Sequence, residues 1–132
     1  MSVRLEYSDR LARVEYAYAS VADAPVRNIW VAGACPLDRD GATVAVGDVA
    51  GQADQVMRNL VISLEEVGAK LTDITKTTVY VASTRQADLV AAWKVYREYM
   101  GGHEAPSTLL GVAALGYADQ LVEVEAVAVL PL

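Results

Sequence analysis

Phenylalanine is absent from this chain, and cysteine and histidine occur once each, as Cys35 and His103. A lone cysteine forms no intrachain disulfide and builds no thiolate metal cage, so no metal site is expected. One histidine also argues against a Ser–His–acid triad, since a serine nucleophile needs a base beside it. His103 stands in Gly101-Gly102-His103-Glu104, which reads as a mobile loop. No apolar run approaches the roughly 18 residues of a helical membrane span, so a membrane is not an expected partner. The opening Met1-Ser2-Val3-Arg4-Leu5-Glu6 carries charge where a signal peptide would need an apolar stretch, and a cytoplasmic location is the expectation. Basic residues are in deficit too: 11 Lys and Arg face 17 Asp and Glu, a formal net charge of −6. They are scattered, with no cluster able to track a phosphate backbone, so nucleic acid is not expected as a partner. The acidity reads as a solubility feature.

What remains is apolar and aliphatic. Hydrophobic residues make up 54 % of 132, mostly Val, Ala and Leu, which suits sheet-and-helix packing and argues against disorder. That length is read as one domain over residues 1–132, because it supports a single core but not two. No repeat, low-complexity segment or Pro/Gly-rich linker divides it.

Three strands are expected early: Val3 to Tyr7; Arg13 to Ser20, where Val14, Tyr16 and Tyr18 alternate with Arg13, Glu15 and Ala17; and Asn28 to Gly33. The third is almost wholly apolar, the pattern of a strand buried on both faces. Asp38 to Gly41 reads as a turn. A helix follows, with Asp48 as N-cap, Val49, Ala53, Val56, Leu60, Leu64 and Val67 on the inner face, and Gln52, Asp54, Gln55, Arg58, Glu65 and Glu66 on the wet one. Gly68 supplies its left-handed stop. Ile74 to Val81 is a strand by its Thr and Val content. Ser83-Thr84-Arg85-Gln86 has the form of a capping box, opening a second helix with Leu89, Trp93, Tyr96 and Met100 on one stripe. Strands at about 107–112 and 121–129 complete a β-β-β-α-β-α-β-β order. This is an α+β arrangement with two helices on one face of a single mixed sheet.

The last strand bears on the other face. Val122, Val124, Ala126 and Ala128 point one way, beneath helices, and Leu121, Glu123, Glu125, Val127 and Val129 point the other. Carboxylates mixed with bulky apolar groups suggest a subunit interface with a polar pocket in it.

Four segments carry a resemblance: Gly33-Ala34-Cys35-Pro36-Leu37, the helix from Gln52 to Gly68, Asp73-Ile74-Thr75-Lys76-Thr77-Thr78-Val79-Tyr80-Val81, and Val122-Glu123-Val124-Glu125-Ala126-Val127-Ala128. Together they resemble the RidA/YjgF family of reactive-intermediate deaminases, over roughly residues 13 to 130. The resemblance implies a chorismate-mutase-like fold, a homotrimer with clefts between neighbouring subunits, no cofactor, and hydrolysis of reactive enamines and imines to a ketoacid and ammonia. It also marks a departure. Active members carry an arginine that clamps the substrate carboxylate where this chain has Ser107, and no arginine lies beyond Arg97. A hydroxyl supplies neither the charge nor the planar fork of a guanidinium. A position that is often cysteine is Leu109 here, which marks a divergent branch.

The resemblance places the family's acid/base glutamate at Glu123, a cleft tyrosine at Tyr18, and the turn beside the cleft at Gly33 and Cys35. Cys35 is more simply a buried small hydrophobe, because nothing electropositive adjoins it. Glu125 shares the face of Glu123 without an assigned role. Ser107 and Thr108 are candidate donors to a ligand oxygen, and Arg85 is a candidate source of the missing charge. The leading expectation is a hydrolase acting on a small imine-like or carbonyl metabolite. The alternative is a non-catalytic small-molecule-binding or scaffold protein that kept the trimer. An RNA-cleaving protein fits poorly with the acidity, and chorismate mutase chemistry needs cleft arginines that find no place here.

Overall fold

The computed structural model describes residues 3–132; Met1 and Ser2, part of the charged opening stretch, lie outside the described residues. The chain runs β1 (Arg4–Glu6), β2 (Ala19–Val21), β3 (Val26–Ala34), α1 (Val49–Glu65), β4 (Ile74–Val81), α2 (Gln86–Met100), β5 (Ser107–Gly111) and β6 (Val122–Pro131). The four later strands form one mixed sheet in the order β3-β6-β4-β5, in which only β4 and β5 run parallel. Helix α2 makes the crossover between that parallel pair, as parallel neighbours require. Both helices lie on one face.

Helix α1 begins where the sequence places it. Asp48 is extended and its carboxylate accepts from the Gly51 backbone N–H at 3.0 Å, satisfying one of the orphan donors of the first turn. The helix closes on Gly68 at φ +81°, a left-handed position that glycine takes without a Cβ penalty. Its inner face is Ala53, Val56, Met57, Leu60 and Leu64, packed on Val79, Val81, Val122 and Val124 of the sheet.

Two residues of α1 trade places. Val67, expected inside, is exposed beyond the helix end, whereas Gln52, expected on the wet face, is fully buried. The Gln52 amide donates to the Asp119 carbonyl at 2.9 Å and accepts from the Leu121 N–H at 2.7 Å. Period counting reads glutamine as polar and therefore wet. Here both ends of the amide find backbone partners, so its burial leaves nothing unpaired, and it pins the loop that feeds β6.

The capping box at Ser83 does not form. Arg85 is the N-cap and its side chain caps nothing, while the Ser83 hydroxyl donates to Asp88 at 2.7 Å and accepts from the Arg85 N–H. Asp88, two residues beyond Gln86, thus holds the Ser83 side chain instead.

The early strands depart most from expectation. Arg13 to Tyr18 is not a strand; β2 is only Ala19–Val21, and it pairs with β1 in a separate two-stranded ribbon outside the main sheet. The alternation is present, but partners other than a strand take the side chains. Glu15 accepts from the Trp93 indole, Tyr16 packs edge-on against Trp93 with centroids 6.2 Å apart, and the Ala17 N–H donates to the Glu104 carbonyl. β3 is consequently an edge strand, covered on one face. Ile29 and Val31 lean on the core, and Trp30 is 74 % exposed, so the expected two-sided burial is not met within one chain. His103 is buried, not on a mobile loop, with Nε2 bonded to the Ile74 carbonyl at 2.7 Å.

Candidate active site

Alternation along β6 buries Val122 and Val124 and turns Glu123 onto the face the helices leave open. There it stands opposite Tyr80 on the antiparallel neighbour β4. On its other side β3 shifts register between Val31 and Ala34, which brings Gly33 against the carboxylate. A Cβ at Gly33 would overlap Oε2 and Cδ of Glu123, so this position admits only glycine while the carboxylate stays where it is.

Two donors converge on one oxygen. The Cys35 thiol lies 3.3 Å from Glu123 Oε1, and the buried Gln120 amide donates to the same atom at 3.0 Å. Gln120 is held in turn by the Tyr117 N–H and the Val122 carbonyl. Oε2 has no hydrogen-bond partner among the described residues and lies against Gly33. Burial, followed by the neighbouring Glu123 carboxylate, pushes the Cys35 thiol up to about 11. At neutral pH it is therefore a donor and no nucleophile.

Glu125, one pleat on, accepts from the Tyr80 hydroxyl at 2.6 Å. That bond and partial burial hold Tyr80 above the usual phenol range. Gln120 and Tyr80 are members of this cluster that the sequence reading missed. Cross-strand pairing of β4 with β6 was the available signal for Tyr80; Gln120 sits in an irregular loop and gave none.

Ser107 lies elsewhere. On β5 it is opposite Thr77, on the helix side of the sheet, and its hydroxyl is fully engaged. It donates to the Ala105 carbonyl, takes the Thr77 hydroxyl at 2.8 Å and lies 2.8 Å from that of Tyr96. Burial raises Tyr96, which packs in the core beside them. The hydroxyl is structural, a correction to its reading as a free ligand donor. Ser107→Ala should cost about 1–3 kcal/mol by leaving the Thr77–Tyr96 pair short of a partner, read as a lower denaturation midpoint. An unchanged midpoint would show the knot to be dispensable.

Thr108 faces the open side and accepts from Lys76 at 2.8 Å. Tyr18 does not reach Glu123 either; its hydroxyl donates to the Ala12 carbonyl. Arg85 is exposed at the start of α2 with no bond to Glu123 or Ser107 through its side chain. Of the sequence-derived candidates, the fold thus gathers Glu123, Gly33 and Cys35, and leaves Tyr18, Ser107, Thr108 and Arg85 outside that cluster.

A cavity of about 760 Å3 lies between residues 13–16, helix α2 and strand β5, with Ser107 and Thr108 in its wall. Glu123 is not part of it. One chain therefore carries two separate features, one around Glu123 on the open face of β6 and one beside the edge strand β5.

The family description Endoribonuclease L-PSP matches residues 9–130 of this chain. The chain belongs to the RidA/YjgF family. A RutC family protein of Pyrococcus abyssi is 36 % identical over 100 residues, 76 % of each chain. A 2-iminobutanoate/2-iminopropanoate deaminase of Rattus norvegicus is 32 % identical over 114 residues, covering 86 % of this chain and 79 % of that one. Among solved RidA/YjgF relatives, a Rid-family protein of unknown function from Yersinia pestis, YyfB, superposes with a TM-score of 0.89 at 27 % identity, over 98 % of this chain and all of its own. A protein of Thermotoga maritima described as a putative endoribonuclease reaches 0.71 at 29 % identity, over 96 % of each chain. The chorismate-mutase-like arrangement implied by the resemblance is the arrangement present.

Proposed function

We propose that this protein hydrolyses a small imine or enamine to a carbonyl compound and ammonia, with Glu123 as acid/base, at clefts completed between subunits of a cytoplasmic homotrimer. The observation that carries the reading is the seating of Glu123. Its Oε1 takes two fixed donors, and its Oε2, beside Gly33, makes no hydrogen bond among the described residues. That is the arrangement a proton carrier needs: held in place, with one oxygen available. Oε2 takes a proton as water adds to the C=N carbon. That proton goes to nitrogen to give the carbinolamine; the carboxylate then takes the hydroxyl proton and passes it to the amine, so that the C=O bond forms as the C–N bond breaks and ammonia leaves. No electron is gained or lost, so no redox partner is required. The imine deaminase named among the relatives supports this class of reaction.

The open face supports assembly. Trp30, Thr78, Val127 and Leu110 are apolar or neutral neighbours on it, and a second copy would cover an exposed tryptophan. Light scattering should give three times the 14.1 kDa of one chain, and 2-iminopropanoate generated in situ should lose ammonia faster with the protein than without it. A mass of one chain together with no acceleration would reject the reading.

One observation favours a second reading, a trimeric small-molecule-binding or scaffold protein without chemistry. Where the resemblance puts the family's arginine this chain has Ser107, whose hydroxyl is already engaged. The endoribonuclease of the family description finds no support in a chain of net charge −6. Tight binding of single-stranded RNA that weakens steeply with salt would reverse that judgement.

A further inference from the structure

Two glutamines are buried, Gln52 on α1 and Gln120 in the loop that feeds β6. Burying a primary amide is costly unless both its ends find partners, and in both residues they do. Gln52 holds the backbone on either side of Gln120. Its amide donates to the Asp119 carbonyl at 2.9 Å, and its oxygen accepts from the Leu121 N–H at 2.7 Å. One residue earlier, the Thr43 hydroxyl donates to the Ala118 carbonyl at 2.8 Å. Asp119 itself is at φ +61°, a left-handed position that a residue with a Cβ adopts at a cost. The loop is therefore held in a conformation it would not take freely, and such strain concentrates where a functional group has to be placed.

What this conformation places is the Gln120 side chain. Its oxygen accepts from the Tyr117 N–H at 3.0 Å, while its nitrogen donates to the Val122 carbonyl at 3.1 Å and to Glu123 Oε1 at 3.0 Å. Turning the amide over would set oxygen against a carbonyl and a carboxylate, and NH2 against an N–H, so only one orientation fits. The other donor to Oε1, the Cys35 thiol at 3.3 Å, is the weaker of the two by its chemistry. We propose that Gln120 is a positioning residue for Glu123 and that Gln52 acts through it. Contacts then run from helix α1 through two amides to the carboxylate, keeping Oε1 occupied while Oε2 exchanges the proton. The inference rests on the reading of Glu123 as the acid/base.

The test combines turnover with a measurement that needs none. Gln120→Leu, close in size but without a donor, should lower kcat for 2-iminopropanoate about tenfold and leave KM within about twofold, because a displaced proton carrier is felt mainly in the transition state. Gln120→Asn keeps an amide but is one methylene short of Glu123, and should slow the reaction similarly in a chain that still folds. Gln52→Leu should lower kcat as well, and its loss should not multiply with that of Gln120→Leu. In the Glu123→Gln background, Gln120→Leu should leave the residual rate unchanged. Gln86→Leu, at an exposed glutamine that opens α2, is the control without effect. In nitrogen–proton correlation spectra the Gln120 side-chain amide signals should move when Glu123→Gln removes the charge, and stay in place in Gln86→Leu. Wild-type kcat in both Gln120 variants, a loss confined to KM, or an equal loss in the Glu123→Gln background would overturn the proposal and leave the hydrolase reading standing. Losses from Gln52→Leu and Gln120→Leu that multiply would remove Gln52 from it. No turnover by the wild-type protein would sink the hydrolase reading, and the amide signals then decide. Unmoved by Glu123→Gln, they overturn the coupling too; moved, they uphold it.

Discussion

Glu123→Gln should abolish most imine hydrolysis, lowering kcat by about 10²–10⁴-fold, the usual contribution of a positioned general acid/base. Glutamine keeps the shape and still accepts from Cys35 and Gln120 through one end, but it cannot take up a proton. KM should change little, because a group that acts by taking up a proton in the transition state contributes mainly to kcat. The measurement is initial ammonia release across substrate concentrations for wild type and variant, with denaturation midpoints to show that both are folded. Undiminished turnover by Glu123→Gln would remove the carboxylate from the mechanism.

Gly33→Ala should be nearly as damaging for a different reason. The new methyl would occupy the space of Glu123 Oε2 and Cδ, so either the carboxylate swings away or β3 moves. Displacement of a reacting group by about 1 Å costs on the order of 10²-fold in rate, and overpacking costs about 1–3 kcal/mol of stability. The two variants are also linked. If Gly33 matters because it seats Glu123, the double variant should be no slower than Glu123→Gln alone. Rate losses that multiply would show that Gly33 serves catalysis by some other route.

Much of this architecture is legible in the residues themselves. The three- and four-residue spacing of Ala53, Val56, Leu60 and Leu64 defines α1, and the alternation of Val122, Val124 and Ala126 with Glu123 and Glu125 gives both faces of β6. The resemblance located Glu123, Gly33 and Cys35, and the fold brings these three together. What failed has a common cause: competition from contacts distant in sequence. Arg13 to Tyr18 alternates like a strand, yet Trp93, Arg97 and Glu104, some 80 to 90 positions on, claim it instead. Gln52 looks wet until Asp119 and Leu121 supply partners. Ser107 looked like a ligand donor because its neighbours Thr77 and Tyr96 lie 30 and 11 residues earlier, on other elements. Arg13 and Lys94 carry no local pattern; only the packing of the early segment against α2 places both in the wall of the cavity beside Ser107.

The strand order has a consequence for how the chain acquires its shape. β6 lies between β3 and β4, and no ladder joins those two directly. Emerging from the ribosome, β3 must wait through some ninety residues for its partner. Meanwhile β4, α2 and β5 can already close as a crossover unit. A nascent chain arrested before Val122 should therefore protect β4–β5 from proteolysis while β3 stays cleavable, and the slow step of refolding should be insertion of the last strand between two halves that no strand pairing otherwise joins.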